Sequence, residues 1–123
     1  MDASTVARLI AVGRLGLGAG LTVVPGVFGR VWLGADGTTT AAKVLGAGFG
    51  ARDVAIGGGL WHALENGADA RPWLLAGAAG DAADLLATLA ARRSLPLLGR
   101  TGVVAFAASG AALSVWAARQ LAP

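Results

Sequence analysis

Hydrophobic residues run through this chain in four long stretches that turn-forming residues separate. The first stretch covers residues 5–24 and stops at Pro25-Gly26, a strong helix breaker. The other three cover residues 41–63, 72–91 and 101–118. Each is near the roughly 20 residues that an α-helix needs to cross a bilayer core. The pattern predicts an all-α fold, an antiparallel four-helix transmembrane bundle, in a single domain of residues 1–123.

Residues at the predicted helix ends agree with these boundaries. Thr38, Thr39 and Thr40 are suited to cap the second helix, and Pro72 is suited to the first turn of the third. The segment between the first two helices contains several glycines. Its apolar part, Val27-Phe28 and Val31-Trp32-Leu33, is compatible with a short helix at the membrane surface.

The composition favours lipid over water as the surrounding medium. Hydrophobic residues make up 55% of the chain and charged residues 14%, whereas charged residues are about 25% of a typical soluble domain. A soluble domain this small has a large surface and needs many charges to cover it. We therefore expect a multi-pass protein of the cell membrane. A soluble four-helix bundle with a polar core is the alternative.

Composition also excludes several classes of function. The chain has no cysteine and a single histidine, His62, so thiolate sites and a histidine metal cluster are excluded, and we predict no metal and no cofactor. The net charge of +3 is small, and no basic stripe is interleaved with aromatic residues. Nucleic acid is therefore not an expected partner.

The tryptophans and the basic residues suggest an orientation in the membrane. All four tryptophans lie near predicted helix ends, where an indole ring meets both lipid and water. Five basic residues lie on the side of the first and third connections, and three lie on the side of the termini. Because cytoplasmic loops carry the excess of basic residues, the first and third connections are predicted to be cytoplasmic and both termini outside.

Charged residues interrupt three of the four stretches, and only the fourth is free of charge. Hydropathy alone therefore supports one span and leaves three in doubt. The interruptions nevertheless share one depth, near the middle of each stretch, and Ser109 lies at that depth in the fourth. We call these five residues the Arg/Asp cluster: Arg14, Arg52, Asp53, Asp81 and Asp84.

Energetics predict that the Arg/Asp cluster faces inward and pairs. Each charge at the bilayer centre costs about 2.5–3.5 kcal/mol if it is unpaired. An arginine has five donors and can bridge two carboxylates. Two arginines face three aspartates, so one carboxylate is in surplus, and we expect one of Asp53, Asp81 and Asp84 to be protonated near neutral pH.

Small residues predict where the helices approach closely. Gly46, Gly50 and Gly57 share one face of the second helix with Asp53. On the first helix, Gly16 and Gly20 form a small-xxx-small pair beside the face of Arg14. Both faces are expected to be helix contacts.

Short motifs extend over most of the chain. One set is Gly50-Ala51-Arg52-Asp53-Val54-Ala55-Ile56-Gly57, then Arg71-Pro72-Trp73 and Asp81-Ala82-Ala83-Asp84. The other is Pro25, followed by Phe28-Gly29-Arg30 and Trp32-Leu33-Gly34. In these motifs the chain resembles a family of small, uncharacterised four-helix membrane proteins of actinobacterial type. The resemblance implies a four-helix membrane architecture and no particular activity.

Two functions fit these features best. The first is a small binding or assembly subunit, in which Arg14 and Arg52 bind the aspartates and the helix faces contact a second copy or a partner membrane protein. The alternative is a membrane-embedded enzyme acting on an apolar isoprenoid or epoxide-type lipid, with Asp53, Asp81 and Asp84 as candidate catalytic residues. A proton or ion pathway is a third reading, but few polar residues lead from the cluster to either surface.

Overall fold

The computed structural model describes residues 1–122 as an all-helical protein, and this part of the chain contains no β-strand. Four of its five α-helices are long, and one, α2, is short. The helices are α1 (Ala3–Val23), α2 (Pro25–Leu33), α3 (Thr40–Glu65), α4 (Arg71–Ala90) and α5 (Leu97–Gln120). Short 3₁₀ helices at Gly34–Thr38 and Arg92–Ser94 precede α3 and follow α4.

Local sequence explains most of the helix ends. The side chain of Asp2 caps α1 by accepting a hydrogen bond of 2.8 Å from the Thr5 N–H. Thr39 caps α3 in the same way, through a bond of 3.2 Å from the Ala42 N–H, and Pro72 lies in the first turn of α4. The predicted cap of α3 and the predicted place of Pro72 in the first turn of α4 are confirmed. The apolar segment after Pro25 is indeed a short helix.

The helix α5 begins at Leu97, ahead of the predicted start at Thr101. That predicted start places Gly99 before the helix. It lies inside the helix instead, and its missing side chain has another use. A β-carbon at Gly99 would collide with the backbone carbonyls of Val31 and Trp32. Gly99 therefore lets α2 pack directly against α5.

The most extensive helix contact joins α1 to α3. A β-carbon on Gly18 would lie 2.6 Å from the Gly50 carbonyl oxygen, and one on Gly57 would lie 2.9 Å from the Ala11 carbonyl oxygen. The backbones thus approach closely where at least one of the two helices has a glycine. The predicted glycine face of α3 is confirmed as a helix contact.

The predicted helix contact of the glycine pair on α1 is wrong for Gly16, whereas Gly20 does meet a neighbouring helix. A β-carbon on Gly16 would meet nothing within 4 Å, and one on Gly20 would meet the ring of Phe28 in α2. Gly18, between them, makes the contact with α3. A helix turns about 100° per residue, so an error of two positions selects the opposite face.

Apolar residues divide between a small core and a large outer surface. Many bulky side chains, including Val44, Leu86 and Phe106, are exposed. The helices α1, α4 and α5 are long and apolar enough to cross a membrane, whereas α3, with its glycines and its Arg52-Asp53 pair, is less apolar. The core packs mostly alanines: Ala7, Ala11, Leu60, Ala63, Ala70, Leu74, Ala117 and Ala118.

Candidate functional site

The five residues of the Arg/Asp cluster come from three helices and meet inside the protein. Arg14 lies near the middle of α1, and Arg52 and Asp53 lie at the middle of α3. The two remaining aspartates, Asp81 and Asp84, lie one helical turn apart on α4. The predicted meeting of these side chains is confirmed.

Arg14 is the more buried of the two arginines in the cluster and links its own helix to two others. Its Nη1 donates to Asp53 Oδ1 at 3.2 Å, and its Nη2 donates to Asp81 Oδ2 at 2.6 Å. The exposed fractions of the three side chains are only 9%, 6% and 11%. One guanidinium group therefore joins α1 to α3 and to α4 in a buried setting, where ion pairs are weakly screened.

Arg52 forms the outer part of the cluster. Its Nη1 donates to Asp84 Oδ1 at 3.4 Å, and its Nη2 donates to Asp84 Oδ2 at 2.9 Å. The Nη2 group also donates to Asp53 Oδ1 at 3.3 Å, so that one oxygen of Asp53 accepts from both arginines. The guanidinium carbon lies 4.9 Å from the centre of the Phe49 ring, a cation–π distance.

These bonds connect the cluster into a single line of alternating charges. The order is Asp81, Arg14, Asp53, Arg52 and Asp84. Each carboxylate has at least one arginine partner, and each arginine has two carboxylate partners. With every group ionised the cluster carries one net negative charge, because three aspartates face two arginines.

Glycines on α4 and α5 make room for the charged groups. A β-carbon on Gly77 would lie 2.8 Å from Arg14 Nε, and one on Gly110 would collide with the Asp81 carboxylate. The guanidinium of Arg14 therefore lies directly against α4, and the carboxylate of Asp81 lies against α5. Neither glycine was singled out from the sequence, since glycines are so frequent in this chain that spacing alone does not distinguish them.

The fourth long helix contributes no charged side chain to the cluster. Ser109, which lies at the right depth in the sequence, is exposed on another face of α5, and Gly110 takes the position beside Asp81. Ser114 of the same helix is fully buried, and its hydroxyl oxygen has no hydrogen-bond partner among the described residues. Position along the sequence thus predicted which level of α5 lies beside the cluster, but not which face of α5 does.

A second polar contact lies on the side of α2. Trp32 Nε1 donates to the buried hydroxyl of Thr88 at 3.1 Å, which ties α2 to α4. The ring of Trp32 also meets Phe49 edge to face, with the ring centres 6.0 Å apart. Beside Phe49 a shallow groove opens on the outer face of α3, and Arg52 is one of its lining residues.

Exposed ion pairs occur at the other end of the molecule. Arg8 pairs with Glu65, and Arg71 Nε donates to Asp69 Oδ1 at 3.2 Å. The hydrogen bonds from Arg71 hold the pKa of Asp69 below its ordinary value. The Arg8–Glu65 pair lies close to Trp61, whose ring is 5.8 Å from the Arg8 guanidinium carbon.

The residues of the cluster could bind a polar group or fix helix positions, and comparison with known proteins does not choose between these roles. No family model, no curated protein and no solved structure matches the chain.

Proposed function

We propose that this protein is an integral membrane subunit of four antiparallel transmembrane helices, α1, α3, α4 and α5, that serves binding or assembly. The Arg/Asp cluster locks three of the helices together. The outer helix faces then present a fixed surface to a partner membrane protein or to a second copy of the chain.

The outer surface supports insertion into a bilayer. Large apolar side chains cover it, and three helices have the length and composition of membrane spans. The less apolar α3 lies against α1, with its glycine face and Asp53 turned inward. Contacts along the two helices run in opposite order, from Arg8 with Glu65 to Gly18 with Gly50, as in an antiparallel pair.

The distribution of ion pairs supports an orientation. Near the termini, Arg8 and Arg71 have acidic partners. The basic residues around α2 and the connection between α4 and α5 have no salt bridge within residues 1–122; they are Arg30, Lys43, Arg92, Arg93 and Arg100. An uncompensated basic end favours the cytoplasmic side.

The observation that carries the assembly role is the pairing of Arg14 within the cluster. Arg14 is buried between two carboxylates on two other helices, with one bond as short as 2.6 Å. Loss of a partner from such a pair leaves an uncompensated charge and is strongly destabilising. The network therefore fixes the positions of the three helices relative to one another. The motifs behind the family resemblance include Asp53 and Asp81 but not Arg14, and membership of that family is part of the proposal.

The enzyme alternative stays a prediction. A general acid needs a dissociable proton and a substrate beside it. All three aspartates accept hydrogen bonds from arginine, and none lines the groove beside Phe49. We therefore favour the assembly role over catalysis by Asp53, Asp81 or Asp84.

The decisive variant is Asp81→Asn, which keeps the shape of the side chain and removes its charge. The tagged chain is expressed in membranes, extracted with mild detergent and examined by blue native electrophoresis. We expect the wild type to migrate as a complex larger than the monomer. We expect Asp81→Asn to lower the amounts of folded chain and of complex together, because Arg14 loses a charged partner.

Asp36→Asn is the matched control, because it makes the same chemical change at an exposed residue outside the cluster. It should behave as the wild type does. A chain that alkaline carbonate removes from the membrane would refute membrane insertion. A fully folded Asp81→Asn protein with an unchanged complex would refute the role of the cluster in assembly.

A further inference from the structure

A shallow groove of about 330 Å³ runs along the outer face of α3, on the side opposite the glycine contact with α1. Its volume lies at the lower end of the range for small-molecule sites. Four of its lining residues have no polar side-chain atom, and the fifth is an arginine. They are Val44, Leu45, Gly48, Phe49 and Arg52.

The depth of Arg52 makes this groove unusual. Arg52 lies at the middle of the 26-residue helix α3, so at a rise of 1.5 Å per residue it is about 20 Å from either helix end. The side chain nevertheless remains 31% exposed, more than any other in the Arg/Asp cluster. A guanidinium group at the bilayer centre faces hydrocarbon unless a polar group covers it.

Arg52 retains donors that the protein does not use. A guanidinium group has five N–H donors. Those of Arg52 make two hydrogen bonds to Asp84 and one to Asp53, which leaves Nε–H and one N–H of Nη1 without an acceptor. The Nε atom is buried, so the N–H of Nη1 is the donor left for a molecule bound on the outer face. In hydrocarbon an unused donor is costly, and an acceptor brought by a bound molecule would satisfy it.

The groove selects the chemistry of that acceptor. Because the only polar lining group is a donor, a carbonyl oxygen, which only accepts, fits better than a hydroxyl group. Because Arg52 already pairs with two carboxylates, Asp53 and Asp84, its positive charge is compensated and does not call for an anionic ligand. The ester carbonyls of phospholipids lie at the membrane surface, about 15 Å from the bilayer centre, and do not reach Arg52.

A second copy of the chain fits this groove poorly. Most homodimers are two-fold symmetric, and each residue at the symmetry axis meets its own copy. A dimer centred on this groove would bring two Arg52 guanidinium groups together in hydrocarbon. Like charges in a medium of low dielectric repel strongly.

From these contacts we propose that the groove beside Phe49 binds an uncharged, lipophilic molecule with a carbonyl oxygen, which accepts a hydrogen bond from Arg52 while its apolar part lies along Val44 and Leu45. The inference rests on the membrane insertion proposed above, but not on the assembly role.

Trp32 is a natural reporter of this site because its ring packs against Phe49. Replacement of Trp61, Trp73 and Trp116 by phenylalanine leaves Trp32 as the only tryptophan. The full chain, reconstituted in phosphatidylcholine nanodiscs, is titrated with decyl-1,4-benzoquinone, an uncharged quinone that quenches indole fluorescence on contact. We expect saturable quenching of Trp32, above the linear quenching produced by probe dissolved in the lipid.

Two glycine variants test the location of the probe. A β-carbon on Gly48 or on Gly16 would meet nothing within 4 Å, so leucine is tolerated at both positions. Gly48→Leu fills the groove and should abolish the saturable quenching. Gly16→Leu adds the same side chain to α1, away from the groove, and should leave it unchanged.

Decylbenzene, which has no carbonyl group, tests the hydrogen bond. An excess of it should fail to displace the quinone. Displacement by decylbenzene, or equal quenching in the wild type and Gly48→Leu, would overturn the proposal. Alkaline extraction of the same protein separates this outcome from a failure of membrane insertion. If the chain resists extraction and its quenching is only linear, the proposed carbonyl site is refuted and membrane insertion is not.

Discussion

The same two kinds of side chain, arginine and a carboxylate, pair in two very different regions of this molecule. At mid-helix, Arg14 and Asp53 are 9% and 6% exposed, whereas near the termini Arg8 and Glu65 are 44% and 45% exposed. The chemistry is alike, so burial is the variable that differs. The comparison shows how position in the fold decides what an ion pair does.

Exposure sets the energy of each pair. Exposed pairs contribute about 0–1 kcal/mol because water and salt screen them and because two flexible side chains must be ordered. Removal of one partner from a buried pair costs about 3–5 kcal/mol, since the remaining charge has no water to solvate it. Mid-helix pairs can therefore dictate which helices meet, and terminal pairs cannot.

The largest effect is expected for Arg14→Met. The apolar side chain leaves Asp53 without its link to α1 and Asp81 without any arginine, so we predict a loss of about 3–5 kcal/mol in the free energy of unfolding. Unfolding in detergent, followed by helical circular dichroism, measures this loss. Arg8→Met is the matched control at the exposed pair and should cost about 0–1 kcal/mol. Equal losses in the two variants would contradict the comparison.

Arg52→Gln should have an intermediate effect. Its side chain is 31% exposed, and Asp53 keeps its bond to Arg14 when Arg52 is replaced, so that only Asp84 loses every arginine. We predict a loss of about 1.5–3 kcal/mol, the range for a hydrogen bond to a charged group. In the double variant with Asp84→Asn, the loss should be smaller than the sum of the two single losses, as a double-mutant cycle will show. Additive losses would mean that the two side chains do not interact.

The smallest effect concerns the exposed pair of Asp69 and Arg71. Hydrogen bonds from the Arg71 side chain, and then from its backbone N–H, lower the pKa of Asp69 below 3.8 in the folded chain. A lowered folded pKa means that the pair stabilises the fold above the unfolded value and ceases to do so as the pH falls through the folded value. The melting temperature of Asp69→Asn should lie slightly below that of the wild type at neutral pH and converge with it in acid. A difference in melting temperature that widens in acid would contradict the lowered pKa of Asp69.

Hydrophobic periodicity and helix-end residues were sufficient to predict four long helices, and charge placement was sufficient to predict that Arg14, Asp53 and Asp81 meet. These predictions succeed because helix formation and the cost of an unpaired charge are local properties of a segment and its surroundings. The start of α5 and the contact glycine of α1 were missed. Gly99 and Gly18 are distinguished only by the backbone that approaches them.

Which carboxylate pairs with which arginine belongs to the tertiary structure. The sequence by itself determined the composition of the cluster, its depth and its surplus of one carboxylate, because these follow from residue types and from a rise of 1.5 Å per residue. Only the packing of α1 against α3 and α4 decided that Arg14 is buried between two aspartates while Arg52 remains partly exposed beside Phe49. The reason is physical: exposure depends on the angles at which neighbouring helices cross, and backbones approach where glycines on two different helices coincide.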